Sequence, residues 1–181
     1  MMANQIVAHA EVRAQEYQEL KKEAKKYADA QEVARRAQEM KEETTRIREK
    51  ALKEAAKRKE EKRVAKRQEV ADFAVQFVGN PYVWGGTSLT NGADCSGFVM
   101  SVFASFGYAL PRVAAAQYGA SVKKDLSHME VGDLVFYGNG ISHVALYIGN
   151  GKVVHALNSN KGIVITDYNY DTPVGVGTYM E

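Results

Sequence analysis

Glycine and proline are missing from the first 78 residues of this chain: all 15 glycines and all 3 prolines lie at or after Gly79. A stretch free of both, and rich in Ala, Glu, Lys, Arg and Gln, is what a sustained helix requires. Charge divides at nearly the same place. Residues 1–70 hold 19 Lys and Arg against 14 Asp and Glu, whereas residues 71–181 hold 5 against 8. The sequence therefore predicts two parts: a charged, coiled-coil-like helical stalk over 1–70 and a compact domain over 71–181. The opposed charges leave a net of only +2, which argues against a nucleic-acid binder. No apolar run approaches the roughly 18 residues of a membrane span, and Met1–Ala10 has neither the basic nor the apolar region of a secretory signal peptide. With one cysteine, an internal disulfide and a Cys-cluster zinc site are both excluded.

Within the helical part, Tyr17, Leu20, Ala24 and Tyr27 step by three and four residues. Val33, Ala37, Met40, Thr44, Ile47 and Ala51 do the same in a shifted register. Asp29 with Glu32 three residues later has the form of a capping box, so a bend or hairpin is expected near Ala28–Ala30. Lys53 to Arg63 carries nine charges in eleven residues, the pattern of a solvated spacer. As one rod the part would reach roughly 100 Å at about 1.5 Å per residue. Its seam is Ala-heavy and irregular, and the expected role of residues 1–70 is a spacer, or a surface for self-association or a protein partner.

The chemistry concentrates after Val70. Val70, Phe73, Ala74 and Phe77 form one helical face, and Pro81 forbids its continuation. Tyr82-Val83-Trp84-Gly85-Gly86 follows, then Asn91-Gly92-Ala93-Asp94-Cys95-Ser96-Gly97-Phe98. Phe98, Val99, Val102, Phe103 and Phe106 recur at helical spacing, which puts Cys95 at the beginning of a helix. Unpaired amides there favour a thiolate over a thiol and can receive an oxyanion during acyl transfer. A nearby imidazolium lowers a thiol pKa further. Asp94, Ser96 and the glycines around Cys95 are unlike the surroundings of a core cysteine.

A nucleophilic cysteine needs a base. Of four histidines, His9 in the charged helix and His128 in a polar connection read as solvated. His143 opens an apparent strand, Ser142–Ile148, and His155 closes another, Lys152–Ala156, joined by the turn Gly149-Asn150-Gly151. An antiparallel meander sets these two on neighbouring strands. His155 can then bond one nitrogen of His143 and leave the other for the sulfur.

At these residues the segment from about Asp72 to Glu181 resembles the NlpC/P60 family of cysteine peptidases, which cut the peptide stems of bacterial cell walls. The resemblance rests on Pro81-Tyr82-Val83-Trp84-Gly85-Gly86, Asp94-Cys95-Ser96-Gly97-Phe98, Leu110-Pro111-Arg112 with Gln117, Gly132-Asp133-Leu134-Val135-Phe136, His143-Val144-Ala145-Leu146-Tyr147-Ile148-Gly149 and His155-Ala156. It implies a papain-like α+β fold with an antiparallel sheet and a nucleophile-bearing helix. It also implies Cys95 as nucleophile, His143 as base, His155 as the residue orienting it, and Tyr82 with its hydroxyl near the nucleophile. Asp94 and Ser96 are implied at the subsite for a substrate's free amino terminus, and Trp84 and Arg112 are further substrate-binding candidates. The expected substrate is a peptidoglycan stem peptide, cut at the bond between the side-chain carboxyl of D-glutamate and a diamino acid. No metal or other cofactor is called for, and the implied location is secreted or at the bacterial cell wall. Alternatives are a Cys-His amidase or acyltransferase of the same layout, and a non-catalytic surface scaffold carried by the stalk. One departure is Arg112-Val113-Ala114, where family members often carry hydroxyl residues after the arginine.

Overall fold

The computed structural model describes residues 2–180, and their side chains from Val12 onward; the side chain of His9 lies outside the described residues. The chain forms two units, dividing between Lys57 and Arg58.

The first unit is helical throughout its described length, as part of α1 (Met2–Val75). Ala28–Ala30 continues the helix, so the expected bend is absent. The reason lies in Glu32, which does not reach back to cap. Its carboxylate bonds forward to Arg35 Nη2 and Arg36 Nε, each at 2.8 Å, the spacing that supports a continuous helix. The large apolar residues of the seam, Tyr17, Leu20, Tyr27, Val33, Met40 and Ile47, are all exposed.

The second unit takes the last turns of α1 and everything after them. Val70, Ala71 and Ala74 are buried, Phe73 meets Phe106 edge-on at 5.4 Å, and Gln76, Phe77 and Val78 donate back three residues to tighten the helix end. A two-stranded ribbon, β1 (Thr87–Ser88) and β2 (Gly92–Ala93), leads into α2 (Cys95–Ala104), followed by α3 (Ala114–Ala120) and β3 (Val122–Lys124). After a 3₁₀ turn at Leu126–His128 come β4 (Leu134–Tyr137), β5 (His143–Gly149), β6 (Lys152–Asn158), β7 (Gly162–Asp167) and β8 (Pro173–Thr178). The large sheet is antiparallel with order β3-β8-β4-β5-β6-β7.

Period-two alternation divides this sheet between two clusters. Leu134, Phe136, Val144, Leu146, Val154 and Ala156 join Phe98, Val102 and Phe103 of α2 in the main core. Val135, Tyr137, Ala145 and Val153 make a smaller cluster with Met129, Tyr147 and Tyr168. His143 and His155 share the parity of Ala145 and Val153, hence the face of Tyr137.

The packed unit begins ahead of the 70/71 boundary suggested by composition, and the cause is a buried ion cluster. Arg67 is 2% exposed; it bonds Asp133 Oδ1 at 2.7 Å and Thr178 Oγ1 at 3.1 Å. Arg63 holds Glu130 at 2.6 Å, and Lys124 reaches both Glu130 and Asp133. These partners hold the end of α1 to β3, β4 and β8. The three cations, Arg63 first, hold the Glu130 carboxyl down at about 2.

Candidate active site

Cys95 sits where sequence reading expected it, at the first residue of α2. Asp94 is the N-cap: its Oδ1 accepts from Gly97 N at 2.7 Å, satisfying an otherwise unpaired amide. Its Oδ2 accepts from Gly85 N at 3.0 Å, and Asp94 N donates to Gly86 O at 3.1 Å, so the loop through Trp84 is strapped across the helix start. This crossing demands glycine, since a Cβ at Gly97 would run into the Gly86 carbonyl. Arg112 completes the clamp with both nitrogens on Asp94, at 2.9 and 2.7 Å, and further bonds to Ser96 Oγ and Gly86 O. A bidentate arginine is a strong, directional partner. Burial of Asp94 is outweighed by Arg112 and the Gly97 and Gly85 amides, which hold its carboxyl below the usual carboxylate range. Gln117, fully buried, donates to Ser96 O at 3.0 Å and Pro111 O at 2.8 Å, fixing α3 against the same helix start.

A cleft of about 540 Å³ opens over this clamp. Tyr82, Cys95, Ser96, Arg112, Ile141 and His143 are among the residues that line it. Trp84 stands on the rim with 87% of its surface exposed. The sulfur of Cys95 interacts with the backbone N–H of Val144, the residue that follows His143. Tyr82 is close enough that the sulfur and Asp94, after burial itself, push its hydroxyl pKa up.

The histidines meet as expected. His143 Nε2 and His155 Nδ1 are 2.8 Å apart; His155 is fully buried. Two further groups, invisible to the sequence reading, complete the surroundings. The Tyr170 ring lies 4.8 Å from His155 and 6.5 Å from His143, in a loop held by Tyr137 donating its hydroxyl to Tyr168 O at 2.7 Å. Thr166 Oγ1 lies 3.2 Å from His155 Nε2. Burial lowers His143 to about 4, against a smaller upward pull from Asp171, and burial with the His143 neighbour lowers His155 to about 3. His128, by contrast, is an exposed side chain beside Asp125, away from this cleft.

One expectation is corrected. The helix start alone favoured a thiolate, yet burial, followed by the charge of Asp94, pushes the Cys95 thiol up despite the Val144 and Ser96 amides. Dry surroundings disfavour the charged forms of both the thiol and the imidazole. Among the described residues, no group of three or more His, Cys, Asp or Glu is arranged to hold a metal ion, and no helix is long and apolar enough to cross a membrane.

Residues 79–174 match the model of the NlpC/P60 family. The chain is 47% identical over 85 residues to "Probable endopeptidase p60" of Listeria seeligeri, covering 46% of this chain and 16% of that protein. It is 42% identical over 103 residues to a "Gamma-D-glutamyl-L-lysine dipeptidyl-peptidase" of Bacillus subtilis, covering 54% of this chain and 34% of the relative. The crystal structure of the NlpC/p60 domain of peptidoglycan hydrolase SagA superposes with a TM-score of 0.56 at 29% identity, covering 60% of this chain and 95% of that one. The chain thus spans about a third or less of the length of these two curated relatives.

Proposed function

The chain belongs to the NlpC/P60 family, and on that premise we propose that its second unit is a cysteine endopeptidase of peptidoglycan stem peptides, acting at the bond between the side-chain carboxyl of D-glutamate and a diamino acid. The observation that carries this is a thiol and an imidazole lining one cleft, with a second imidazole 2.8 Å behind the first. The names of relatives that cleave γ-D-glutamyl-L-lysine or peptidoglycan support the substrate class.

Cys95 attacks the scissile carbonyl while His143 takes the thiol proton. The amides at the start of α2, with the Tyr82 hydroxyl, stabilise the oxyanion. His143 returns the proton to the departing amine, then activates the water that releases the acyl group. Because Arg112 already pairs with Asp94, the two act as one dipolar patch beside the nucleophile. With Ser96 they contact the free amino terminus of the substrate, and Trp84 covers the cleft rim. A wall substrate implies work outside the cytoplasmic membrane or at the cell wall. The residues ahead of the packed unit serve as a spacer or a surface for association.

Replacing Cys95 by Ala tests the reading on digested muropeptides followed by mass spectrometry. The expected result is complete loss of a product ending in γ-D-glutamate; retained cleavage overturns the assignment, and stems freed from their sugar identify an amidase instead. Neutral His143 is required for attack, so kcat/KM should fall on acidification near pH 4, well below an ordinary histidine limb near 6.5.

A further inference from the structure

The histidine pair is useful only in one arrangement of its protons. If His143 carries hydrogen on Nε2, its Nδ1 is bare and can accept the thiol proton; if it carries hydrogen on Nδ1, it cannot act as base. One hydrogen bond, Nε2 of His143 to Nδ1 of His155 at 2.8 Å, is compatible with either choice.

Thr166 breaks the tie. Its hydroxyl oxygen lies 3.2 Å from His155 Nε2 and 3.2 Å from the Asp167 carbonyl. The Asp167 carbonyl also accepts from Tyr170 N at 3.1 Å; a carbonyl only accepts, so its contact with Thr166 is a hydrogen bond when Thr166 donates its single proton there. With the proton so placed, the hydroxyl oxygen accepts from His155, which then carries hydrogen on Nε2; the opposite assignment would leave the Asp167 contact without a proton. His155 Nδ1 is left bare, His143 donates to it from Nε2, and His143 Nδ1 is free. The other groups around the pair do not compete for this proton. Tyr137 from β4 gives its hydroxyl proton to Tyr168 O, Tyr170 meets His155 with its ring, Asp171 acts on His143 through its charge, and Cys95 from α2 lines the same cleft as His143.

We propose that Thr166 is a positioning residue that sets the tautomer of both histidines, through a one-way chain from the Asp167 carbonyl by way of its own hydroxyl and His155 to His143. The kinetic consequence rests on the peptidase reading above; the tautomer itself is a property of the resting protein. Thr166 touches neither substrate nor sulfur.

The test uses the full chain labelled with ¹⁵N-histidine at neutral pH. Long-range nitrogen–carbon-proton spectra should show hydrogen on Nε2 and a bare Nδ1 in both His143 and His155. Thr166→Val, which keeps the shape and removes the hydroxyl, should redistribute these signals and lower kcat on a γ-D-glutamyl-L-lysine peptide about tenfold, the scale of one lost hydrogen bond. KM should stay within about twofold, and Thr166→Ser should restore both spectrum and rate. Hydrogen on His143 Nδ1 in the unaltered chain overturns the proposal. So does an unchanged spectrum and kcat in the valine variant, or a loss that serine fails to rescue. Should the valine variant not fold, the spectra of the unaltered chain and the serine variant still decide. Hydrolysis surviving Cys95→Ala would overturn the peptidase reading while leaving the tautomer result intact.

Discussion

Arg35 and Arg63 occupy α1 in the same local way and are different residues physically. Each bonds a glutamate three positions earlier, Glu32 and Glu60, with Nη2 to Oε1 at 2.8 Å. In the first unit the pairing stops at neighbouring turns of the helix. In the second, Arg63 also holds Glu130, and Arg67, one turn on, is sealed against Asp133 and Thr178. The contrast separates helix that supports itself by local pairs from helix that belongs to a sheet. Local pairs are a matter of composition and leave the seam residues in water. Long-range ones select individual arginines from an otherwise uniform run of charge.

The sharpest way to break this comparison is truncation at each of the two boundaries. Removing residues 1–57 should leave a folded second unit with its cooperative melting transition. Removing 1–70 takes away Arg63, Arg67 and Val70 and strands Asp133, which is fully buried, with Lys124 as its remaining cation; circular dichroism should find no cooperative transition. A folded 71–181 fragment would put the boundary back where composition drew it. The finer version is Arg67→Ala in the full chain. Breaking a buried ion pair from one side costs about 3–5 kcal/mol, a large part of the ordinary 5–15 kcal/mol of a domain, and urea midpoints would register it.

Acid should act on the second unit through its histidines. In the fold His143 and His155 resist protonation until about pH 4 and 3, while in the unfolded chain they take a proton near 6.5. Between these values the unfolded state binds more protons, so stability falls as pH falls, and levels once the folded values are passed. Glu130 and Asp94 have lowered values instead. Their contribution is present above the usual carboxylate range and is lost only below it. The window from about pH 6.5 to 4.5 therefore isolates the imidazoles. His155→Gln should flatten the urea-midpoint slope there, and a slope as steep as in the unaltered chain would assign it elsewhere.

What was readable in the sequence follows the same division between local and long-range causes. Cys95 at a helix start needs only Asp94 before it and the spaced Phe98, Val99, Val102 and Phe103 after it. The two histidines need only the strand-turn-strand pattern around Gly149-Asn150-Gly151. Other features had no local signature. Pro173-Val174-Gly175-Val176-Gly177-Thr178, with two glycines and a proline, has no local strand signature and becomes β8 because β3 and β4 flank it. Arg112 and Asp94 were legible as two separate substrate contacts; their mutual clamp spans 18 positions. Thr166 and Tyr170 acquire meaning only when β7 and the loop after it come beside β6. The opposing pull on the Cys95 thiol was hidden for a related reason: helix polarity is local, whereas the burial that raises the thiol is produced by the whole assembled cleft.

The smallest expected effect tests the other side of the comparison. Ile47 belongs to the first unit's seam and is 60% exposed, so its side chain loses little contact with water on folding of the described chain. A surface substitution of this kind changes stability by about 0.5 kcal/mol or less. Ile47→Ser should leave both the urea midpoint of the second unit and its hydrolysis of muropeptides as they were. Val70 is the control, an apolar residue of the same helix that is fully buried; Val70→Ser leaves a hydroxyl among Phe98, Val102 and other core side chains and should lower the midpoint clearly. If Ile47→Ser lowered the second unit's midpoint as Val70→Ser does, the seam would be part of the same cooperative structure, and the distinction between self-supported and sheet-bound helix would fail.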